Sequence, residues 1–151
     1  MNVAVINRQK VRAIRIPALR KLTAFLLEKA GRRPGIQWGD MTVVLVEDAG
    51  SREVNRAHLG HNYVTDVISF NYAPVPGETE AGSSGEIVIN VEQACRLGRR
   101  YGGPAHELAL YLAHGCDHLS GGDDQTPVQR WQMRRRELRW VKDAKDAGLL
   151  A

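Results

Sequence analysis

The sequence predicts a single α/β domain spanning residues 1–151, a small mixed sheet of about four strands packed with about five helices. Three observations predict it. A chain of 151 residues is the size of one domain and long enough to bury a sizeable core. Its hydrophobic content of 43% and charged content of 25% are ordinary globular values. Short β-branched runs alternate with longer stretches of helical periodicity, the order from which layered α/β folds are built.

Asn2 to Asn7 alternates as a first strand, with Val3 and Val5 on one face. Pro17 stands at the start of a helix through Ala30, where Leu19, Leu22, Phe25, Leu26 and Lys29 recur at helical spacing. Gly31 closes that helix, and Arg32 to Gly39 is a loop punctuated by proline and glycine. Met41 to Val46 is a second strand, buried on both faces. A short helix from about Gly50 to His58 carries Val54 and Ala57 inward. Asp66 to Tyr72 is the third strand. Ala73 to Ser84, with two prolines, two glycines and two glutamates, reads as a mobile loop. Gly85 to Asn90 is the fourth strand, and Glu92 to Arg100 a helix ended by Gly102-Gly103. Pro104 begins a further helix over Ala105 to Ala113, with Leu108, Tyr111 and Leu112 on or near one face. Thr126-Pro127-Val128-Gln129 is a capping box with proline at N1, opening a long final helix that packs Trp131, Leu138 and Val141.

Between the last two helices lies His114-Gly115-Cys116-Asp117-His118-Leu119-Ser120-Gly121-Gly122-Asp123-Asp124. Histidines four apart lie one above the other on a helix face, the separation at which two imidazoles bind one ion. Gly121 and Gly122 end the helix, because glycine takes the positive φ of a C-terminal cap, and the reversed chain brings back a carboxylate. His114, His118 and Asp124 therefore read as a three-ligand metal site, with Asp123 competing for the third place and Asp117 as an exposed helix residue. Three protein ligands with one position open is the catalytic arrangement, whereas structural zinc is closed by four. Zinc peptidases carry a glutamate base directly after the first histidine. Here that position is Gly115, which argues against proteolysis.

No apolar run approaches the roughly 20 residues that span a bilayer. The amino terminus lacks the apolar region of a signal peptide, so the expected compartment is the cytoplasm, away from any membrane. Cys95 and Cys116 have no paired spacing and fit reduced thiols, with no disulfide-linked partner. Cys116 points about 160° from the midline of the His114/His118 face, so packing is its expected role. The net charge of +4 is modest. Its cations cluster as Arg8, Lys10, Arg12 and Arg15, as Arg96, Arg99 and Arg100, and as Arg130, Arg134, Arg135, Arg136 and Arg139. Such clusters track phosphates or form solvated helix faces, and charge alone does not establish nucleic-acid binding. Three tryptophans, four tyrosines and two phenylalanines are too scattered to define a stacking platform.

The histidine segment resembles the His-Gly-x-x-His-Leu-x-Gly-x-Asp-His signature of the YbeY family, bacterial endoribonucleases that mature ribosomal RNA. The match includes His114, Gly115, His118, Leu119, Gly121 and Asp123. Thr65 to Phe70 is similar to the family's Thr-Asp-Val-Leu-Ser-Phe strand, and Gly85 to Asn90 to its Gly-Asp-Ile-x-Ile strand. In order and spacing the resemblance runs from about Met41 to the last helix. Two positions depart. The family's third histidine ligand falls on Asp124, and the arginine of its Asn-x-x-Tyr-Arg-Gly stretch falls on Leu59. Carboxylate oxygen is an accepted zinc ligand, though it favours harder metals more than imidazole does. Arg56 or His61 stands near enough in sequence to replace the missing cation.

The resemblance implies a metal-dependent, single-strand-specific endoribonuclease acting in ribosomal RNA maturation and small-subunit quality control. It implies His114 and His118 as catalytic residues, one zinc per chain (or manganese or iron), and the maturing small ribosomal subunit as partner. RNA would lie in a basic groove beside the metal, with Arg56, Thr65, Asp66 and Ser69 as binding residues. The nucleophile is then either water activated at the metal or the RNA's own 2′-hydroxyl. The alternative, given the two departures, is a ribosome-assembly RNA-binding protein with weak or no nuclease activity.

Overall fold

Parallel β1 (Asn2–Asn7) and β2 (Trp38–Val46) are joined by the helical crossover α1 (Ile16–Ala30), and β2 then pairs in parallel with β4 (Ser83–Asn90). β3 (Val67–Tyr72) closes the other edge antiparallel to β4, giving the order β1-β2-β4-β3. The remaining helices are α2 (Asp48–Leu59), α3 (Val91–Gly98), α4 (Pro104–Leu119) and α5 (Pro127–Asp146). These elements come from a computed structural model that describes residues 1–31, 37–72, 82–100 and 102–151. Among the described residues, four strands and five helices match the mixed α/β class that the sequence predicts.

The period-two alternation of β2 and β4 feeds two cores at once. Met41, Val43, Leu45, Ile87 and Ile89 face one layer, where they pack with α1 leucines Leu19, Leu22 and Leu26 and with α3, α4 and α5. Val44, Val46, Ile68 and Val88 face the other layer, where Val54 of α2 and Phe70 cover them. Central strands buried on both sides need near-continuous apolar sequence, as Met41 to Val46 provides. α4 is the inner helix of the larger layer, with 11 of its 16 residues buried. Its C-terminal half therefore sits in a fixed place relative to β3 and β4, and that half carries the histidines.

Several boundaries and faces differ from expectation. β4 begins at Ser83, two residues early, because Ser83 and Ser84 pair with Trp38 and Asp40 of an equally extended β2. Residues 32–36 and 73–81 of the two expected loops lie outside the described residues. α3 stops at Gly98, whose Cα sits so close to the backbone of Gly103 and Pro104 that a Cβ would meet Pro104 N at 2.6 Å. On α1, Lys29 is exposed and pairs with Asp143 at 3.2 Å, while Thr23 and Leu27 join the buried face. On α2, Ala57 is exposed, and the buried residues are the polar Ser51 and Asn55. On α5, Trp131 is 60% and Leu138 40% exposed; Met133, Glu137, Trp140, Val141 and Ala144 face inward instead. That stripe follows i, i+4, i+7, i+8, i+11 spacing, and Trp131 lies off it, with the Arg135 guanidinium 5.0 Å over its ring.

Candidate metal centre

The last turn of α4 and the loop after it bring three donors together. Nε2 of His114 and Nε2 of His118 lie 3.1 Å apart, and Asp124 Oδ2 stands 3.2 Å from His118 Nε2 and 3.8 Å from His114 Nε2. Bonds of about 2.0–2.2 Å at near-tetrahedral angles separate neighbouring donors by roughly 3.3–3.5 Å. The triangle matches that span. Two imidazole lone pairs and a carboxylate converging so closely repel one another unless a cation, or a proton on one ring, lies between them. The three side chains stay 34%, 31% and 39% exposed, so the group opens to solvent with room for a fourth ligand. The group could hold one divalent ion, and it is Asp124 that stands beside the histidines, while the Asp123 carboxylate accepts from Gln125 N at 3.3 Å.

Residues around the triad explain its shape. Glu137, nearly fully buried on α5, places Oε1 2.5 Å from His114 Nδ1. With the Nδ1 proton given to Glu137, His114 presents Nε2 as a lone pair toward the site. Burial favours the neutral ring, but the hydrogen bond and charge of Glu137, with Asp66 and Asp124 beyond, outweigh it and raise the His114 pKa. Gly115 faces β4, where a Cβ would meet Ile87 Cγ2 at 2.8 Å. The position that bears a base in zinc peptidases is thus pressed against the sheet here.

Asp117, expected as an exposed residue, is buried and accepts two bonds from Arg136, 2.8 Å from Nε and 2.7 Å from Nη2. This bidentate pair ties α4 to α5 and removes Arg136 from the free cations. The two glycines of the turn serve different ends. Gly121 takes φ +105°, the cap conformation, whereas Gly122 has no positive φ and is small because the Asp117–Arg136 pair passes over it. Cys116 is fully buried with its thiol pKa pushed up by desolvation, a packing residue as expected.

Two hollows meet at the triad. One, about 660 Å³, is bounded by α2 and β3 and lined by Thr65, Asp66 and Ser69 together with His114, His118 and Asp124. The other, about 290 Å³, lies between α4 and α5 and is lined by Tyr111, Arg130, Arg134 and Glu137, with Asp66, His114 and Asp124 shared. Arg56 is exposed on α2 and lines neither. Of the α5 arginines, Arg130 donates to the carbonyls of Asp124 and Gln125. Arg96 is held by Asp48 through 3.0 and 3.1 Å bonds that depress the Asp48 pKa.

The segment carrying Thr65 and Asp66 is clamped by buried polar residues. Ser51 Oγ donates to Thr65 O at 2.8 Å, and Asn90 Nδ2 donates to Asp48 Oδ1 at 2.8 Å and to Thr65 O at 3.2 Å. Asn90 N in turn donates to Asp66 O at 2.9 Å. In the sequence Ser51 and Asn90 carry no functional signal, and Glu137 reads as an acidic partner on a solvated arginine face. Ser51 and Asn90 stand as polar residues in a short helix and at a strand end, positions that by themselves point to no partner.

Comparison with known proteins follows the same lines. A family model described as Endoribonuclease YbeY matches residues 4–145. A Geobacter metallireducens protein named Endoribonuclease YbeY is 31% identical over 145 residues, 91% of this chain and 93% of its own. A Rhodopirellula baltica protein of the same name is 39% identical over 111 residues, and the match spans 72% of this chain but only 55% of that relative's length. The solution structure of a Thermotoga maritima protein superposes with a TM-score of 0.60 at 20% identity, covering 97% of this chain and 93% of that one. This last likeness supports the fold alone.

Proposed function

The chain belongs to the YbeY endoribonuclease family, and from that premise we propose that it is a metal-dependent, single-strand-specific endoribonuclease. Its proposed place is ribosomal RNA maturation and quality control of the small ribosomal subunit, in the cytoplasm. One observation carries the chemistry: two imidazole nitrogens and a carboxylate oxygen converge within the span of a single ion, at the meeting point of two hollows. His114, His118 and Asp124 would hold one zinc per chain, with manganese or iron as harder alternatives that the carboxylate admits. When bound, such an ion supplies Lewis acidity, polarising a phosphoryl oxygen and acidifying water.

The protein's own residues do the rest. Glu137 keeps the His114 proton on Nδ1 and fixes the ring's direction. Asp66 already accepts from Val67 N through Oδ1 at 2.7 Å, and its second oxygen suits a ribose hydroxyl or a base N–H; a phosphate would be repelled. Thr65 and Ser69 add neutral hydroxyls along the same wall. Arg130 and Arg134 border the opposite hollow and are placed for phosphates on that side. A strand lying across the triad thus meets hydroxyls and the Asp66 carboxylate on one side and arginines on the other.

The test is cleavage of a labelled single-stranded RNA by purified protein. Wild type should cut it with zinc or manganese and stop on chelation, while His114→Ala and His118→Ala remain folded and inactive. Equal cleavage by wild type and both variants would overturn the assignment. Binding without cleavage at any metal would favour an RNA-binding assembly factor.

A further inference from the structure

We propose that Leu59, His61 and Tyr63 form a stacking shelf on which one base of single-stranded RNA lies, and that this shelf is the grip on the α2–β3 side of the site. The inference rests on the RNA reading above and adds how the strand is held there. Among the described residues lining that hollow there is no lysine or arginine, so away from the ion no side-chain cation supplies the hold on phosphate. Beyond Thr65, Asp66, Ser69 and the metal donors, its lining includes an apolar and aromatic corner at Leu59, His61 and Tyr63. Leu59 is 48% and Tyr63 54% exposed, and both border the same hollow as the metal donors. The Tyr63 ring stacks on the His61 imidazole, centroids 5.2 Å apart and planes 13° apart, with Tyr63 Oη 3.1 Å from His61 Nδ1.

An exposed ring pair on a loop is ordinarily mobile, yet this one is fixed from beneath. Gly60 turns the chain out of α2 with φ +70°, a conformation that favours glycine. Asn55, 2% exposed, then holds both ring-bearing residues: its carbonyl accepts from His61 N at 3.2 Å, and its side-chain amide donates to Tyr63 O at 3.0 Å. A buried asparagine spent on ordering two exposed rings, beside a metal-donor group, is the signature of a preorganised surface. Parallel planar rings with an exposed member accept a third planar ring, and every nucleobase has the π-face required. Bases in a duplex are stacked inward and cannot reach such a shelf, so it selects single strands.

The test is binding of a single-stranded RNA decamer carrying 2-aminopurine, followed by fluorescence over a time in which a gel shows the RNA intact. Full-length wild type is compared with Tyr63→Leu and Tyr63→Trp, thermal melts confirming that the variants fold. Wild type should quench the probe, and Tyr63→Trp should keep both quenching and affinity. Tyr63→Leu should lose the quenching and roughly ten-fold in affinity, with the slope of log affinity against log salt unchanged, because stacking releases no counterions. Wild-type quenching and affinity in Tyr63→Leu would overturn the shelf, as would a loss of about one in the salt slope. The two readings fail separately. If wild type cleaves RNA but Tyr63→Leu binds normally, the shelf falls and the nuclease stands. If wild type never cleaves but Tyr63→Leu still loses quenching, the shelf stands and the nuclease falls.

Discussion

Glu137→Gln should weaken zinc binding by about ten-fold or more without touching any of the three donors. Glu137 Oε1 lies 2.5 Å from His114 Nδ1 and Oε2 lies 3.3 Å away, on a side chain only 4% exposed. A hydrogen bond to a charged group contributes about 1.5–3 kcal/mol, against about 0.5–1.5 kcal/mol for a neutral pair. The amide oxygen can still accept the Nδ1 proton, so the substitution removes charge while keeping shape. The difference, roughly 1–1.5 kcal/mol, corresponds to about ten-fold in a binding constant. Loss of such outer partners costs about 10–100-fold in metal affinity where it has been gauged in other sites, so two routes reach the same range. Zinc competition against a chromophoric chelator near neutral pH gives the ratio of dissociation constants directly. Glu137→Ala, which also frees the ring to rotate, should cost more than Gln. Equal zinc affinity in wild type and Glu137→Gln would refute the reasoning, for the Glu137 charge would then not raise the basicity of His114.

Three further outcomes follow from the same geometry. Gly115→Ala presses a methyl onto Ile87 at the α4–β4 contact; it should cost about 1–3 kcal/mol, visible as a lower urea midpoint. Arg136→Ala strands the buried Asp117 carboxylate, and the variant should lose about 3 kcal/mol or more, whereas Asp117→Asn with Arg136 intact should lose less in the same urea titration. In metal-free protein the folded His114 pKa lies above the usual 6.5, because Glu137 outweighs burial. Stability from that pair is therefore fully present below about pH 6.5 and is lost as pH rises through the raised folded value; urea midpoints of chelated protein from pH 6 to 9 should fall more steeply in wild type than in Glu137→Gln.

The elements that pattern and punctuation specify were legible in the sequence. Met41 to Val46 reads as a doubly buried strand, Thr126 to Gln129 forms its capping box with Pro127 at the start of the helix, and the i, i+4 histidines meet Asp124 as the glycine turn predicts. What escaped were interactions between distant segments. Asp117 looks like a surface carboxylate until α5 delivers Arg136 nineteen residues later. Glu137 looks like a solvated charge until it meets His114 twenty-three residues upstream. The inward face of α5 differs from expectation because apolar residues lie all around this helix, Trp131 and Leu138 as well as Met133, Trp140 and Val141, while the packed stripe includes a buried glutamate that apolar counting omits. Aromatic residues judged too scattered for a platform are brought together by β3 and the α2 cap, which stack Phe70 on Tyr72 and His61 on Tyr63. Helical and strand periodicities report local burial; they carry no information on which polar groups tertiary contact will pair.

The measurement that bears most directly on the metal-centre assignment is the metal content of tag-free protein purified without chelator, determined by native mass spectrometry beside Asp124→Ala. The His114, His118 and Asp124 geometry predicts one divalent ion per wild-type chain and its loss from the variant. Wild-type protein that remains metal-free after zinc is supplied, or an Asp124→Ala variant that retains the ion at full occupancy, would contradict it.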